Sequence, residues 1–85
     1  MITFIAHDKS SGVVCCGGFN RVINWSANHV KTSSSSVIVI IKCRPSEDGK
    51  VIIEIDKFGL REITKGRALS QRDVIKLSRR AMIDG

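Results

Sequence analysis

An unbroken apolar segment near the middle of the chain constrains the fold more than any other feature. Residues 37–41 read Val-Ile-Val-Ile-Ile, without the alternation of apolar and polar side chains that marks a strand covered on one face. We therefore expect a central strand that is covered on both faces of its sheet. The segment is far too short to span a bilayer, and no membrane partner is expected.

The first hairpin is predicted near the start of the chain. Residues 2–7 and 13–16 are rich in strand-forming residues and flank a polar turn. One face of the first strand is purely apolar, whereas the other face mixes Thr3, Ile5 and His7. This pattern predicts a strand that is buried on one side only.

The second hairpin contains the apolar segment. Residues 37–43 and 51–55 flank a turn at residues 45–49, which is rich in Pro, Ser, Asp and Gly. A short edge strand is predicted over residues 60–63, after the turn at Phe58 and Gly59.

Two helices complete the predicted fold. Apolar residues recur at helical spacing over residues 20–31, with Asn20 as the N-cap. The second helix is expected to begin at Ser70, where Asp73 completes a loose capping box, and to run to about Ile83.

These elements predict one α+β domain over residues 1–85, in the order ββαββ(β)α. Its mainly antiparallel sheet comes from the two hairpins, with one short central helix and a basic C-terminal helix. Two short helices are limited cover for both faces of a sheet. A homodimer, in which a second copy covers the remainder, is the hypothesis that follows.

Positive charge is concentrated in the last third of the chain. The formal net charge is +6, and residues 57–85 carry eight basic residues against three acidic ones. On the second predicted helix, four cations lie at i, i+4, i+7 and i+8 and extend over about 12 Å. They are Arg72, Lys76, Arg79 and Arg80, on a different face from the apolar stripe.

This charge pattern predicts a small, basic, non-enzymatic protein that binds nucleic acid, DNA or RNA, through phosphate contacts. The binding residues we expect are Lys65, Arg67, Arg72, Lys76, Arg79 and Arg80. One alternative is a solvated face with favourable helix electrostatics. Another is a small regulatory or inhibitory protein of the phage accessory type, which docks on an acidic protein surface.

A small ribonuclease toxin is a further alternative. His7 and His29, with nearby cations, supply the residue types that acid–base cleavage of RNA requires. No spacing rule singles these residues out, so no catalytic residue is assigned. Gly17 and Gly18 precede a predicted helix, where a phosphate can bind, although a turn that requires glycine is the simpler interpretation.

The cysteines predict free thiols. Cys15, Cys16 and Cys43 are an odd number, and no secretory signal precedes them, so a reducing, cytoplasmic location is expected. Adjacent side chains on a strand face opposite ways, which separates Cys15 from Cys16 and argues against a zinc site. No metal and no cofactor is predicted.

Overall fold

Strands and helices follow one another in the predicted order, with one additional short strand, at Ala68–Leu69, that was not predicted. The computed structural model describes residues 2–33, 36–44, 47–63, 66 and 68–84, and side chains in the last helix up to residue 79. The strands are β1 (Thr3–Asp8), β2 (Val14–Gly17), β3 (Ile38–Cys43), β4 (Gly49–Asp56), β5 (Gly59–Glu62) and β6 (Ala68–Leu69). The helices are α1 (Phe19–Thr32) and α2 (Gln71–Asp84). The predicted α+β class is therefore confirmed.

All strands belong to one antiparallel sheet. Its order is β2-β1-β3-β4-β5, and the short β6 pairs with the start of β4. The apolar segment forms the central strand β3, as predicted. Ile38 and Ile40 pack in one core cluster with Val22 of α1, whereas Val39 and Ile41 pack in the other with Val74 of α2. We call these two sides the α1 face and the α2 face.

The prediction for the first strand was wrong. β1 lies between β2 and β3, and Ile5 and Ala6 are fully buried on opposite faces of the sheet. On the mixed face, Ile5 is buried because α2 covers it, while Thr3 and His7 are half-buried and His7 lies beside a groove near the end of the strand. A polar residue at a strand end does not require that the whole face be exposed.

A β-bulge changes the faces of β4. Ile40 pairs with Ile53, but Ile41 pairs with Val51, so one residue of β4 is left over. Without the bulge, Val51 and Ile53 would share a face. With it, Val51 packs on the α2 face, whereas Ile53 packs on the α1 face. The bulge thereby turns Glu54 toward the α2 face.

The N-cap residue agrees with the prediction in α2 and differs from it in α1. Helix α1 begins at Phe19 and its N-cap is Gly18, with no side-chain cap, so the predicted Asn20 cap was wrong. Helix α2 follows the predicted capping residue: Ser70 Oγ accepts the Asp73 backbone N–H and donates to the Asp73 carboxylate.

Close backbone contact positions α2 on the sheet. A Cβ atom on Gly49 would lie 2.6 Å from Val74 Cγ2 and 2.9 Å from Ile41 Cγ2, so only glycine fits between helix and sheet. The helix N-terminus is held at the same point, because the Gln71 backbone N–H donates to the Asp48 carboxylate at 3.0 Å. No helix in the described part of the chain is long and apolar enough to cross a membrane.

Candidate nucleic-acid interface

The outer side of α2 carries the predicted cations. Val74 is buried in the core and Leu77 packs against the same cluster, so the apolar stripe docks the helix on the α2 face. Arg72, Lys76 and Arg79 are exposed on the remaining surface. None of the ion pairs among the described residues involves these three cations.

The side chains of the other three predicted binding residues lie outside the described part of the structure. Arg80 belongs to α2, but its side chain lies outside the described part of the structure. Lys65 and Arg67 also lie outside the described residues. The structure therefore places half of the predicted set, Arg72, Lys76 and Arg79, on one helix.

Several carboxylates are already engaged within the fold. Arg61 Nη2 donates to Glu54 and, at 3.0 Å, to Asp56. Asp48 and Asp73 accept hydrogen bonds at the start of α2. These four carboxylates are thus held close to local donors, while Arg72, Lys76 and Arg79 face solvent.

A groove runs beside α2 along the α2 face. Its volume is about 370 Å³. The groove has an apolar floor and charged side chains along its walls. The residues that line it are His7, Lys9, Val39, Ile41, Val51, Glu54, Ile63, Ala68, Leu69 and Asp73. Sequence reasoning missed Glu54 and Asp73 as site residues. The available signal was that Glu54 is the single charged residue in the otherwise apolar run of residues 51–55.

Cross-strand pairing determines which polar side chains lie on the same face of the sheet as the groove. His7 pairs with Val39, Val39 with Glu54, and Glu54 with Arg61. These residues form one row across four strands, and paired residues in antiparallel strands point to the same face. The row therefore places an imidazole and a carboxylate on the same side of the sheet, with Val39 between them.

A polar cluster around a buried carboxylate lies on the opposite, α1 face. We call it the Asp8 cluster: Asp8, Ser11, His29 and Ser36. The Asp8 side chain is fully buried. Its Oδ2 accepts from Ser11 Oγ and Ser36 Oγ, both at 2.9 Å, and lies 2.7 Å from His29 Nε2. Its Oδ1 accepts the Ser10 backbone N–H at 2.8 Å.

The charge of Asp8 is stabilised by these donors. Burial by itself would raise the pKa of Asp8, but the hydrogen bonds from Ser10, Ser11, Ser36 and His29 outweigh that effect and hold the pKa well below its ordinary value. A carboxylate only accepts hydrogen bonds, so His29 donates from Nε2. Trp25 stacks on the His29 ring with centroids 4.7 Å apart and packs against the core of the α1 face.

The structure does not bring His7 and His29 together. His7 lies beside the groove on the α2 face, and His29 binds Asp8 on the α1 face. One phosphodiester cannot meet both imidazoles, because the sheet lies between them. The two histidines therefore cannot act together on one phosphate, as the ribonuclease hypothesis required. His7 nevertheless lines a groove.

The cysteines are free thiols within the core layers. Cys15 packs on the α1 face and Cys16 on the α2 face, as the strand alternation predicted. Burial raises the pKa of Cys16 above its ordinary value and that of Cys43 to about 11, so neither forms a thiolate readily at neutral pH. Among the described residues, no group of three His, Cys, Asp or Glu side chains is arranged to hold a metal ion.

Gly17 ends β2, directly before the N-cap residue of α1. Its φ is +156°, and a Cβ atom there would lie 2.8 Å from Cδ of Arg21. The positive φ favours glycine at this position, whereas the flexible Arg21 side chain could move away from an added Cβ atom.

Comparison of the chain with protein-family models, curated proteins and solved structures found no match in any of the three. Function is therefore inferred from the residues and their geometry alone.

Proposed function

We propose that this protein binds nucleic acid, without catalysis, through the outer side of α2. The observation that carries the proposal is the row of Arg72, Lys76 and Arg79, which are exposed and form no ion pair with a described carboxylate. The helix rises about 1.5 Å per residue, so the row extends over about 10 Å and can contact neighbouring phosphates. Lys65, Arg67 and Arg80 remain predicted contributors.

Salt dependence tests the proposal. Each phosphate contact releases counterions, so binding to a labelled oligonucleotide should weaken steeply as salt rises. Replacing Arg72, Lys76 and Arg79 by Ala should reduce the slope of log K against log salt by about 0.7 for each lost contact to a single strand, or about 0.9 to a duplex. Fluorescence anisotropy over a salt series measures both affinity and slope.

A matched control separates the effect of Arg72, Lys76 and Arg79 from the effect of net charge alone. Lys31, Arg44 and Lys57 are also exposed, and their replacement by Ala removes three positive charges as well. This variant should keep the slope of the wild type. Equal losses in the two triple variants would mean that the charge acts without a defined surface. Absence of binding to DNA and RNA at low salt would contradict the proposal.

The same exposed row also suits an acidic protein surface, and a small regulatory or inhibitory protein is the second candidate. Purification with and without nuclease separates the two. Nucleic acid that co-purifies only before nuclease treatment supports the first, and a protein retained after nuclease treatment supports the second.

Three further expectations belong to this proposal. A cytoplasmic location is supported by the three free thiols. A homodimer stays a prediction, and a monomer mass in light scattering at micromolar concentration would count against it. A ribonuclease activity that depends on His7 stays a prediction as well. Normal growth and intact RNA on expression would contradict it.

A further inference from the structure

The groove beside α2 combines two surfaces that suit different parts of one ligand. Its floor is apolar and includes Val39, Ile41 and Val51. Its volume of about 370 Å³ falls within the range of roughly 300–1,000 Å³ that small-ligand sites occupy. A flat ligand with apolar faces and a polar edge would cover the floor and still reach the charged wall.

Two carboxylates stand at the polar wall. Glu54 accepts from Arg61, and Asp73 accepts from Ser70, but each carboxylate has sites for about four hydrogen bonds. Both therefore have acceptor capacity left for a ligand. Two carboxylates and one lysine, Lys9, line the groove, so its formal balance apart from His7 is −1. A groove with this balance does not favour a phosphate backbone.

The position of the groove relative to α2 connects these facts with the proposed function. Asp73 lines the groove, and Lys76 follows it by three residues, on the same flank of the helix. A nucleic acid strand whose phosphates contact Lys76 would thus pass along the rim of the groove. Its backbone would stay on the basic helix while a base turned inward.

We propose that the groove binds one unstacked base of a single strand, and that it favours bases with an exocyclic amino group. The proposal rests on nucleic-acid binding by α2 and specifies the kind of strand. The faces of the base cover the apolar floor, and the amino group of cytosine, adenine or guanine donates to the Glu54 carboxylate. Thymine and uracil carry a carbonyl oxygen where cytosine carries its amino group, and the carboxylate repels that oxygen.

Affinity for two homopolymers tests this preference. Short oligodeoxycytidylate and oligodeoxythymidylate strands of equal length have the same phosphates, so α2 treats them alike. At pH 7.5 we expect the cytidylate strand to bind on the order of tenfold more tightly, which is the effect of one good base contact. A duplex of the same length should lack this contribution, because its bases are paired and stacked.

Glu54→Met is the decisive variant. It keeps a side chain of similar length and removes the acceptor, so the ratio of the two affinities should fall to about one. The lost negative charge strengthens binding of both strands equally and cancels from the ratio. Glu62→Met is the matched control, since Glu62 is an exposed carboxylate on β5 that does not line the groove. It should preserve the ratio.

Amide chemical shifts give a second measurement that does not depend on any variant. Addition of deoxycytidine monophosphate should shift the amide signals of Val39, Val51 and Leu69, and thymidine monophosphate should shift them less. Equal affinities for both strands, with loss of binding in the α2 triple variant, would overturn the groove proposal and leave the proposed function intact. Failure of both strands and the duplex to bind at low salt would contradict the two proposals together.

Discussion

The two faces of the sheet use helices of equal length in different ways. Helices α1 and α2 both contain 14 residues and each docks an apolar stripe on the sheet. On the α1 face, Asp8, Ser26 and Ser36 are buried and hydrogen-bonded. On the α2 face, the charged residues surround an open groove or face solvent.

This difference indicates a division between stability and binding. A buried polar cluster gains from hydrogen bonds that water cannot replace, and it orders the segments that supply the donors. The Asp8 cluster joins the end of β1, the turn after it, the last turn of α1 and the segment before β3. Exposed cations contribute little to folding, which leaves them available to a ligand.

The largest expected effect comes from the α1 face. Asp8→Asn should lower the free energy of unfolding by about 3 kcal/mol, because an amide NH₂ would then face the donors of the cluster inside the core. Urea denaturation followed by Trp25 fluorescence measures the change. Since a domain of this size has a total stability at the low end of about 5–15 kcal/mol, the variant should keep roughly 2 kcal/mol and unfold at a much lower urea concentration than the wild type.

The matched control is Glu62→Gln, which neutralises a carboxylate that is exposed on the same, α1 side of the sheet. It should change the free energy of unfolding by less than about 0.5 kcal/mol. A loss similar to that of Asp8→Asn would mean that burial and hydrogen bonding do not account for the effect of Asp8.

A smaller effect is expected where α2 meets the sheet. Gly49→Ala should lower the free energy of unfolding by about 2 kcal/mol, since the new methyl group would overlap Val74 and Ile41 in a packed core. Gly18→Ala is the control, because no atom lies within 4 Å of the corresponding Cβ position. Thermal unfolding measures both. Equal changes would mean that α2 is not held closely at Gly49.

The elements of the fold were predictable because their signals are local. The apolar run of β3, the turns before β2 and β5 and the Ser70 cap were predicted correctly from neighbouring residues. The bulge in β4 was not, because it arises from pairing with β3, and it decides that Glu54 lies on the α2 face. The Asn20 cap failed because the helix starts one residue before it, after Gly18.

The α2 cations and the Asp8 cluster also differ in how far local sequence predicts them. Arg72, Lys76 and Arg79 share one helix, so their common face follows from helical spacing. The contacts among Asp8, His29 and Ser36 join residues up to 28 positions apart. No local pattern marks such a cluster, because only the completed sheet and helix bring its members together.

The pH dependence of stability gives the smallest expected effect, and it tests the role of the Asp8 cluster on the α1 face. The pKa of Asp8 is lowered in the folded protein, so the cluster contributes its full stability above the ordinary carboxyl pKa of 3.8. As the pH falls below that value, the unfolded chain takes up the proton first and this contribution is progressively lost. The free energy of unfolding should therefore fall between about pH 4 and pH 2.

Two buried serines distinguish this effect from titration of the other carboxylates. Ser36→Ala removes a hydrogen bond to Asp8, whereas Ser26→Ala removes one to the Val22 carbonyl within α1. Each should cost about 1 kcal/mol at neutral pH. Only Ser36→Ala should reduce the loss of stability in acid, because it weakens the preference of the folded state for ionised Asp8. Parallel acid profiles of wild type, Ser26→Ala and Ser36→Ala would show that Asp8 does not govern the acid response.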